Sequence, residues 1–183
     1  MPDTRNRLLT RVVAPDDEPL TLADAKAYLR VTHASDDMLI RDLIVGVRMT
    51  AEQWLKRSLL TQAWKLAYDD YTPECLPLPM GPVNSITSVV IINRDATSQT
   101  VDSSLYYLNA ARDTLIFNSA LVGFRIEVTY ATGYGNADTV PMPIKQGMLA
   151  HIAALYDNRG ELTDGGVPAY TASLYMPFRG ISL

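Results

Sequence analysis

Six apolar residues, Ile40, Ile44, Val47, Ala51, Trp54 and Leu55, recur at the three-to-four spacing of a helix, and soon afterwards the period falls to two. In "TQAWKLAYDD", Trp64, Leu66 and Tyr68 alternate with Lys65, Ala67 and Asp69, as in a half-buried strand. Helical spacing returns at Ile144, Met148, Ile152 and Leu155, with Leu149 and His151 beside them. A chain that is helical, then stranded, then helical again has to place its strands between helices in sequence.

Local signals set the ends of these segments. "TLADAKAYLR" offers Thr21 as a cap and Asp24 three residues later to reach back, a capping box with Asp in place of Glu. Leu22, Ala25 and Leu29 then form an apolar face, and Arg30 suits the negative end of the helix dipole. For the second helix Ser35 is the expected cap, with Asp36 and Asp37 at its start and Lys56 and Arg57 at its end. Leu43 and Met49 are expected to widen its apolar stripe. The loop "THASDD" is short, so the pair is read as a helical hairpin over 20–59.

The strands fall in 60–135. "YTPECLPLPMGP" has four prolines and can be only loop or edge. "VNSITSVVII" reads as a strand, "SLYYLN" and "TLIF" as a hairpin about "AARD", and "FRIEVTY" as a strand with Ile126, Val128 and Tyr130 on one face. About five antiparallel strands are expected. The last helix is placed at 141–158, with Pro141 and Pro143 in its first turn and "DNRG" at its end.

With 48% hydrophobic and 20% charged residues, the chain can build a core and has neither a disordered nor a membrane composition. Its longest apolar runs, "VVII" and "IAALY", fall far short of the roughly 20 residues that span a bilayer. The N-terminal stretch lacks the apolar core of a signal peptide, and one cysteine, Cys75, excludes an internal disulfide framework and suits a reducing cytoplasm. The net charge of −4 comes from residues 63–140, where eight acids face four bases. No basic run or stripe exists to grip phosphates, which argues against tight nucleic-acid binding.

"TGYGNADTVPMPIK" invites a phosphate-binding reading, because a glycine loop feeds a helix start. Asp138 stands where a third glycine would be needed, Ile144 precedes Lys145, and Pro141 and Pro143 remove two N–H donors. Gly133, Gly135, Pro141 and Pro143 are therefore read as a structural junction between sheet and helix. His33 and His151 have no metal-ligand spacing, Cys75 has no partner motif, and "GxSxG" does not occur. Neither a catalytic constellation nor a cofactor or metal site is expected. The tail, 159–183, is polar and glycine-rich before the cluster Leu174, Tyr175, Met176, Pro177, Phe178 and Arg179. Two readings stay open: a tail folded back on the core, or an arm that docks into a partner.

The order of these strings resembles that of the bacteriophage head–tail connector family, the small neck adaptors that join the portal to the tail. The resemblance runs through "PLTLADAKAYLRV", "SDDMLI", "LLTQAWKLAYDDY", "LPLPMGPVNSITSVVI", "VTYATGYGNADTVPMPIKQGMLAHIAALYDNRGE" and "SLYMPFRG", nearly all of the chain from Pro19 onward. The terminal string departs, with "YMPFRG" where relatives carry a leucine and a "PYR" run. The resemblance implies one connector domain over 1–183, an α+β fold with a three-helix bundle, an inserted β-subdomain and a flexible, extended C-terminal arm. It also implies a ring, usually of twelve copies, beneath the portal of a phage or prophage-derived particle, formed from subunits that stay monomeric until the portal templates them. Portal would bind at Leu174–Arg179, a stopper or tail protein on the other side, and DNA would pass through the lumen without sequence-specific contact. The protein would reside in the virion neck, after assembly in the host cytoplasm, and would act without membrane or enzyme chemistry. Rivals are a stopper or tail-completion protein, and a small hydrolase or nucleotide-binding enzyme using Cys75 or His151.

Overall fold

The computed structural model describes residues 7–70, 74–158 and 166–180 and is mixed α+β, with four α-helices and antiparallel sheets. The chain divides into two compact units, Met1–Ala14 with Thr61–Gly133, and Pro15–Leu60 with Tyr134–Leu183.

The described residues of the first unit are built on β-strands. Strands β1 (Arg7–Val13), β2 (Gln62–Asp69), β4 (Val83–Ile92), β5 (Ser98–Thr100) and β8 (Arg125–Thr132) form a sheet in the order β1-β2-β8-β4-β5. Strands β3 (Cys75–Pro77), β6 (Tyr106–Leu108) and β7 (Thr114–Phe117) form a second sheet in the order β3-β7-β6. β8 lies at the centre of the larger sheet and alternates in burial along its length, with Ile126, Val128 and Tyr130 buried as their spacing requires. Both sheets supply one core, in which Leu66, Val89, Val128 and Tyr130 from the larger meet Leu76, Leu115 and Phe117 from the smaller. The Tyr130 hydroxyl donates to the Pro79 carbonyl at 3.0 Å, so the ring is buried without orphaning its polar end.

Among the described residues the single sheet of about five strands expected in 60–135 is therefore corrected to seven strands there, which with β1 form two sheets. β1 escaped sequence reading because its apolar residues fall on both faces: Leu9 packs toward the core, while Leu8, Val12 and Val13 are exposed. Its partner β2 lies far along the chain, with Arg7 opposite Tyr68. "SLYYLN" is shortened because the Asp102 side chain accepts from the Ser104 N–H and turns 103–105 into a 3-10 helix. The proline-rich stretch yields β3 at a sheet edge, where Pro77 costs no interior ladder bond. Residues 71–73 of that stretch lie outside the described residues.

The second unit is helical: α1 (Leu22–Leu29), α2 (Asp37–Leu55), α3 (Met142–Asn158) and α4 (Ala169–Tyr175). The capping box forms, the Asp24 N–H reaching Thr21 Oγ1 at 3.1 Å and the Thr21 N–H reaching Asp24 Oδ2 at 3.0 Å. Ile40, Ile44, Val47, Ala51 and Leu55 of α2 are buried against Ala25 of α1 and Ile144, Met148 and Ile152 of α3. Two local expectations fail. Asp36, not Ser35, stands at the N-cap of α2, because Ser35 Oγ is engaged with His33 Nδ1 at 2.7 Å. Met49 is exposed, since its helical phase is nearly opposite that of Val47.

A buried ionic network, missed in the sequence, fixes the C-terminal half of α2. Arg48 Nε donates to Glu18 at 2.7 Å, Arg48 Nη1 donates to Glu52 at 3.0 Å, and Glu52 accepts the Leu59 N–H at 2.9 Å. One side-chain cluster thus ties the segments before α1 and after α2 to α2. Removing one member would leave a buried charge uncompensated. The i,i+4 spacing of Arg48 and Glu52 beside the apolar stripe was the available signal.

Candidate partner-binding site

The tail is the region to which sequence assigned partner binding, and its described part is folded rather than extended. Pro168 opens α4, and a 3-10 turn over Met176–Phe178 follows it. Residues 159–165 and 181–183 of the expected flexible arm lie outside the described residues. The physical reason for the folding is a notch in α3. A Cβ on Gly147 would press into the Tyr175 ring, reaching Cε1 first and Cδ1 at 3.0 Å. Glycine there leaves room for the aromatic ring, which is fully buried.

Other contacts hold the same seam. Thr171 Oγ1 donates to the Gly147 carbonyl at 3.3 Å, and the Gly180 N–H donates to the Leu55 carbonyl at 2.7 Å, occupying an acceptor that the end of α2 leaves open. Trp54 lies 5.8 Å from Tyr175, centroid to centroid, and the Arg179 guanidinium sits 5.1 Å from the Trp54 ring centroid. Burial pushes the Tyr175 hydroxyl well above its ordinary range, and it has no hydrogen-bond partner among the described residues. Burial also holds His151, one turn beyond Gly147, below its ordinary 6.5, while a hydrogen bond with the Gly166 backbone acts in the opposite sense.

The six candidate docking residues divide accordingly. Tyr175 is buried, Leu174 and Phe178 are half-buried, and Met176, Pro177 and Arg179 are exposed. Tyr170, which sequence reasoning passed over, is 65% exposed on the same helix. The surface offered to solvent is thus Tyr170, Met176, Pro177 and Arg179, carried on an anchor made by Tyr175.

At the junction, Gly133 and Gly135 adopt φ of 111° and 122°, conformations that favour glycine. The Gly133 N–H donates to the Pro82 carbonyl and the Tyr134 N–H to the Leu59 carbonyl. Asn136 caps a short 3-10 turn, after which Pro141 immediately precedes α3 and Pro143 lies in its first turn. The Ile144 and Lys145 N–H groups both donate to the Pro141 carbonyl. These donors are turned inward, so the arrangement presents no cradle for phosphate.

The remaining chemical candidates have ordinary surroundings. Cys75 is exposed on β3, a short edge strand, one of the two placements that the prolines around it allow. His33 is exposed, and His151 is a buried core residue rather than one at the core edge. Among the described residues no cluster of three or more His, Cys, Asp or Glu could hold a metal ion, and no helix is long and apolar enough to cross a membrane. On the outer face of β1, β2 and β8 a groove of about 400 Å³ is lined by Arg7, Lys65, Asp69, Arg125 and Glu127, among others. Four of its charges pair with one another: Arg125 with Asp69 at 2.5 Å and Lys65 with Glu127 at 3.2 Å. The hydrogen bond from Arg125 holds Asp69 below the usual carboxylate range.

The fold is similar to those of chains in three solved structures. One is the neck of an empty GTA particle computed with C6 symmetry, at TM-score 0.77 and 18% identity. Another is the virion of a native gene transfer agent (GTA) particle, at 0.80 and 18%, and a third is the neck of a native GTA particle computed with C12 symmetry, at 0.72 and 19%. Each likeness covers 96% of this chain and 97% of the other. At such identities the likeness is one of fold. No protein-family model matches the chain, and no curated protein is recognisably similar to it in sequence.

Proposed function

We propose that this chain is a structural subunit of the neck of a phage-like particle, a connector that assembles as a ring beneath the portal and joins it to the tail. The observation that carries this reading is the likeness, across 96% of the chain, to chains of GTA particles, two of them described as necks with C6 or C12 symmetry. The motif order points the same way. In this reading twelve copies surround a lumen through which DNA passes without being gripped, and the lack of a basic stripe suits a conduit. One end meets the portal and the other a stopper or tail protein. The work is mechanical and involves no cofactor.

Portal docking is assigned to the tail, with a division of labour. Tyr175 fixes α4 to α3, and Met176, Pro177, Phe178 and Arg179, with Leu174 behind them, present the contact. Gly133, Gly135, Pro141 and Pro143 shape the passage of the chain into α3 and bind nothing. Mixing the purified protein with its cognate portal tests the reading: complexes should appear by mass photometry and as rings by electron microscopy. Absence of any complex would overturn it. Met176→Asp with Arg179→Glu should weaken portal binding at least tenfold without changing the circular dichroism spectrum, whereas undiminished binding would remove the tail from the contact.

A further inference from the structure

α2 has two apolar faces and its own unit covers one. Opposite the buried row of Ile40, Ile44, Val47, Ala51 and Leu55 runs a second row, Met38, Val45 and Met49, with Leu39 alongside. Met38 is 77% exposed, and the other three are exposed as well. Asp42 and Gln53 are the exposed polar residues on this side, where the helix of a solitary unit would be polar throughout.

Gly46 lies within this second face. It is exposed, sits mid-helix, does not have a positive φ, and a Cβ built on it meets no atom within 4 Å. Glycine is the least helix-favouring residue after proline, so its presence there weakens α2 without serving any described neighbour. Close approach by a backbone from another molecule would give it a purpose.

The charges on this face narrow the occupant. Asp42 lies in the same row and Arg41 beside it, so the face has no net charge and offers nothing to phosphates. Exposed apolar side chains framed by both signs of charge mark a protein contact, and methionine is favoured in one. In a symmetric neck, the protein present at every subunit's flank is the next copy of the same chain. Resting on the ring reading above, we infer that the Met38–Val45–Met49 face of α2, with Gly46 at its centre, packs against the neighbouring copy of this chain. A ring closed by rotation joins unlike faces, so each subunit uses this face once and a single substitution strikes every contact in the ring.

The test is assembly of full-length protein on its cognate portal, counted by electron microscopy. The double variant Val45→Glu with Met49→Glu should keep the wild-type circular dichroism spectrum and melting temperature, because both side chains are exposed, and should lower the fraction of complete rings at least tenfold. In a second measurement Met49→Cys, in a Cys75→Ser background, carries an environment-sensitive dye. Its emission should shift to the blue when rings form, whereas the same dye on Val122→Cys should not. Complete rings from the double variant, or an unshifted dye at residue 49 in rings that do form, would overturn the inference while leaving the ring reading intact. If the wild-type protein forms no ring, the ring reading falls and takes the inference with it.

Discussion

Gly147 and Gly46 are each a glycine within a helix, and they face opposite circumstances. At Gly147 the space a side chain would take is filled by Tyr175 of the same chain; at Gly46 that space is open. Both positions give up helix propensity. Only the first recovers it within the described residues, through an aromatic ring buried against the α3 backbone. The contrast shows that a helix glycine is best read from what occupies the missing Cβ, and that an empty space on an apolar face points outward to a partner.

The contrast can be broken most severely at Tyr175. Tyr175→Ala should destabilise the helical unit by about 3–5 kcal/mol, as removal of a large buried aromatic does. With Trp64→Phe leaving Trp54 as the remaining tryptophan, fluorescence during urea unfolding reads this unit directly. Gly147→Ala should cost about 1–3 kcal/mol in the same assay, because the added methyl displaces the Tyr175 ring. A neutral result would mean that the seam yields freely.

A pH titration sharpens the same seam. His151 is held below its ordinary 6.5 by burial, so the unfolded chain takes up a proton more readily than the folded one. Its contribution to stability is intact above that value and is lost as pH falls through it toward the folded value. Between about pH 7.5 and 5.5 the wild-type melting temperature should fall by roughly 2 °C more than that of His151→Gln. Equal falls would relieve His151 of any part. The smallest effect is of opposite sign: Gly46→Ala should stabilise the isolated protein by about 0.5–1 kcal/mol, the helix propensity that glycine gives up. Destabilisation would show that the position is constrained inside the monomer.

Sequence reasoning succeeded where one residue's neighbours along the chain decide the outcome. The Thr21–Asp24 box and the buried row of α2 depend on three- and four-residue spacings, and both are present as read. It failed where a distant segment decides. α4 has seven residues, too few for a helical period to declare itself, and it gains its place from a notch in α3. β1 is apolar on both faces, which hides a period of two, and its pairing partner follows two intervening helices. The exposed row of α2 was half visible: Met49 was assigned to the core stripe, although its phase relative to Val47 pointed the other way. Composition left the tail with two readings and the resemblance implies portal docking there; the structure sorts those residues into a buried anchor, Tyr175, and an exposed surface, Met176, Pro177 and Arg179.

The interleaving of the two units along the chain bears on how the molecule is made. β1 precedes α1 and α2 yet pairs with β2, and α3 and α4 come after β8. Neither unit is a contiguous stretch, so neither can be excised by a single cut, and a transplant of either must carry two pieces of chain. During synthesis the first strand emerges long before its partner, and α1 and α2 wait for α3 and α4. Contacts of such wide sequence separation form slowly. A nascent subunit therefore holds two half-built cores at once, the β core until β8 has emerged and the helical core until α3 and α4 follow it.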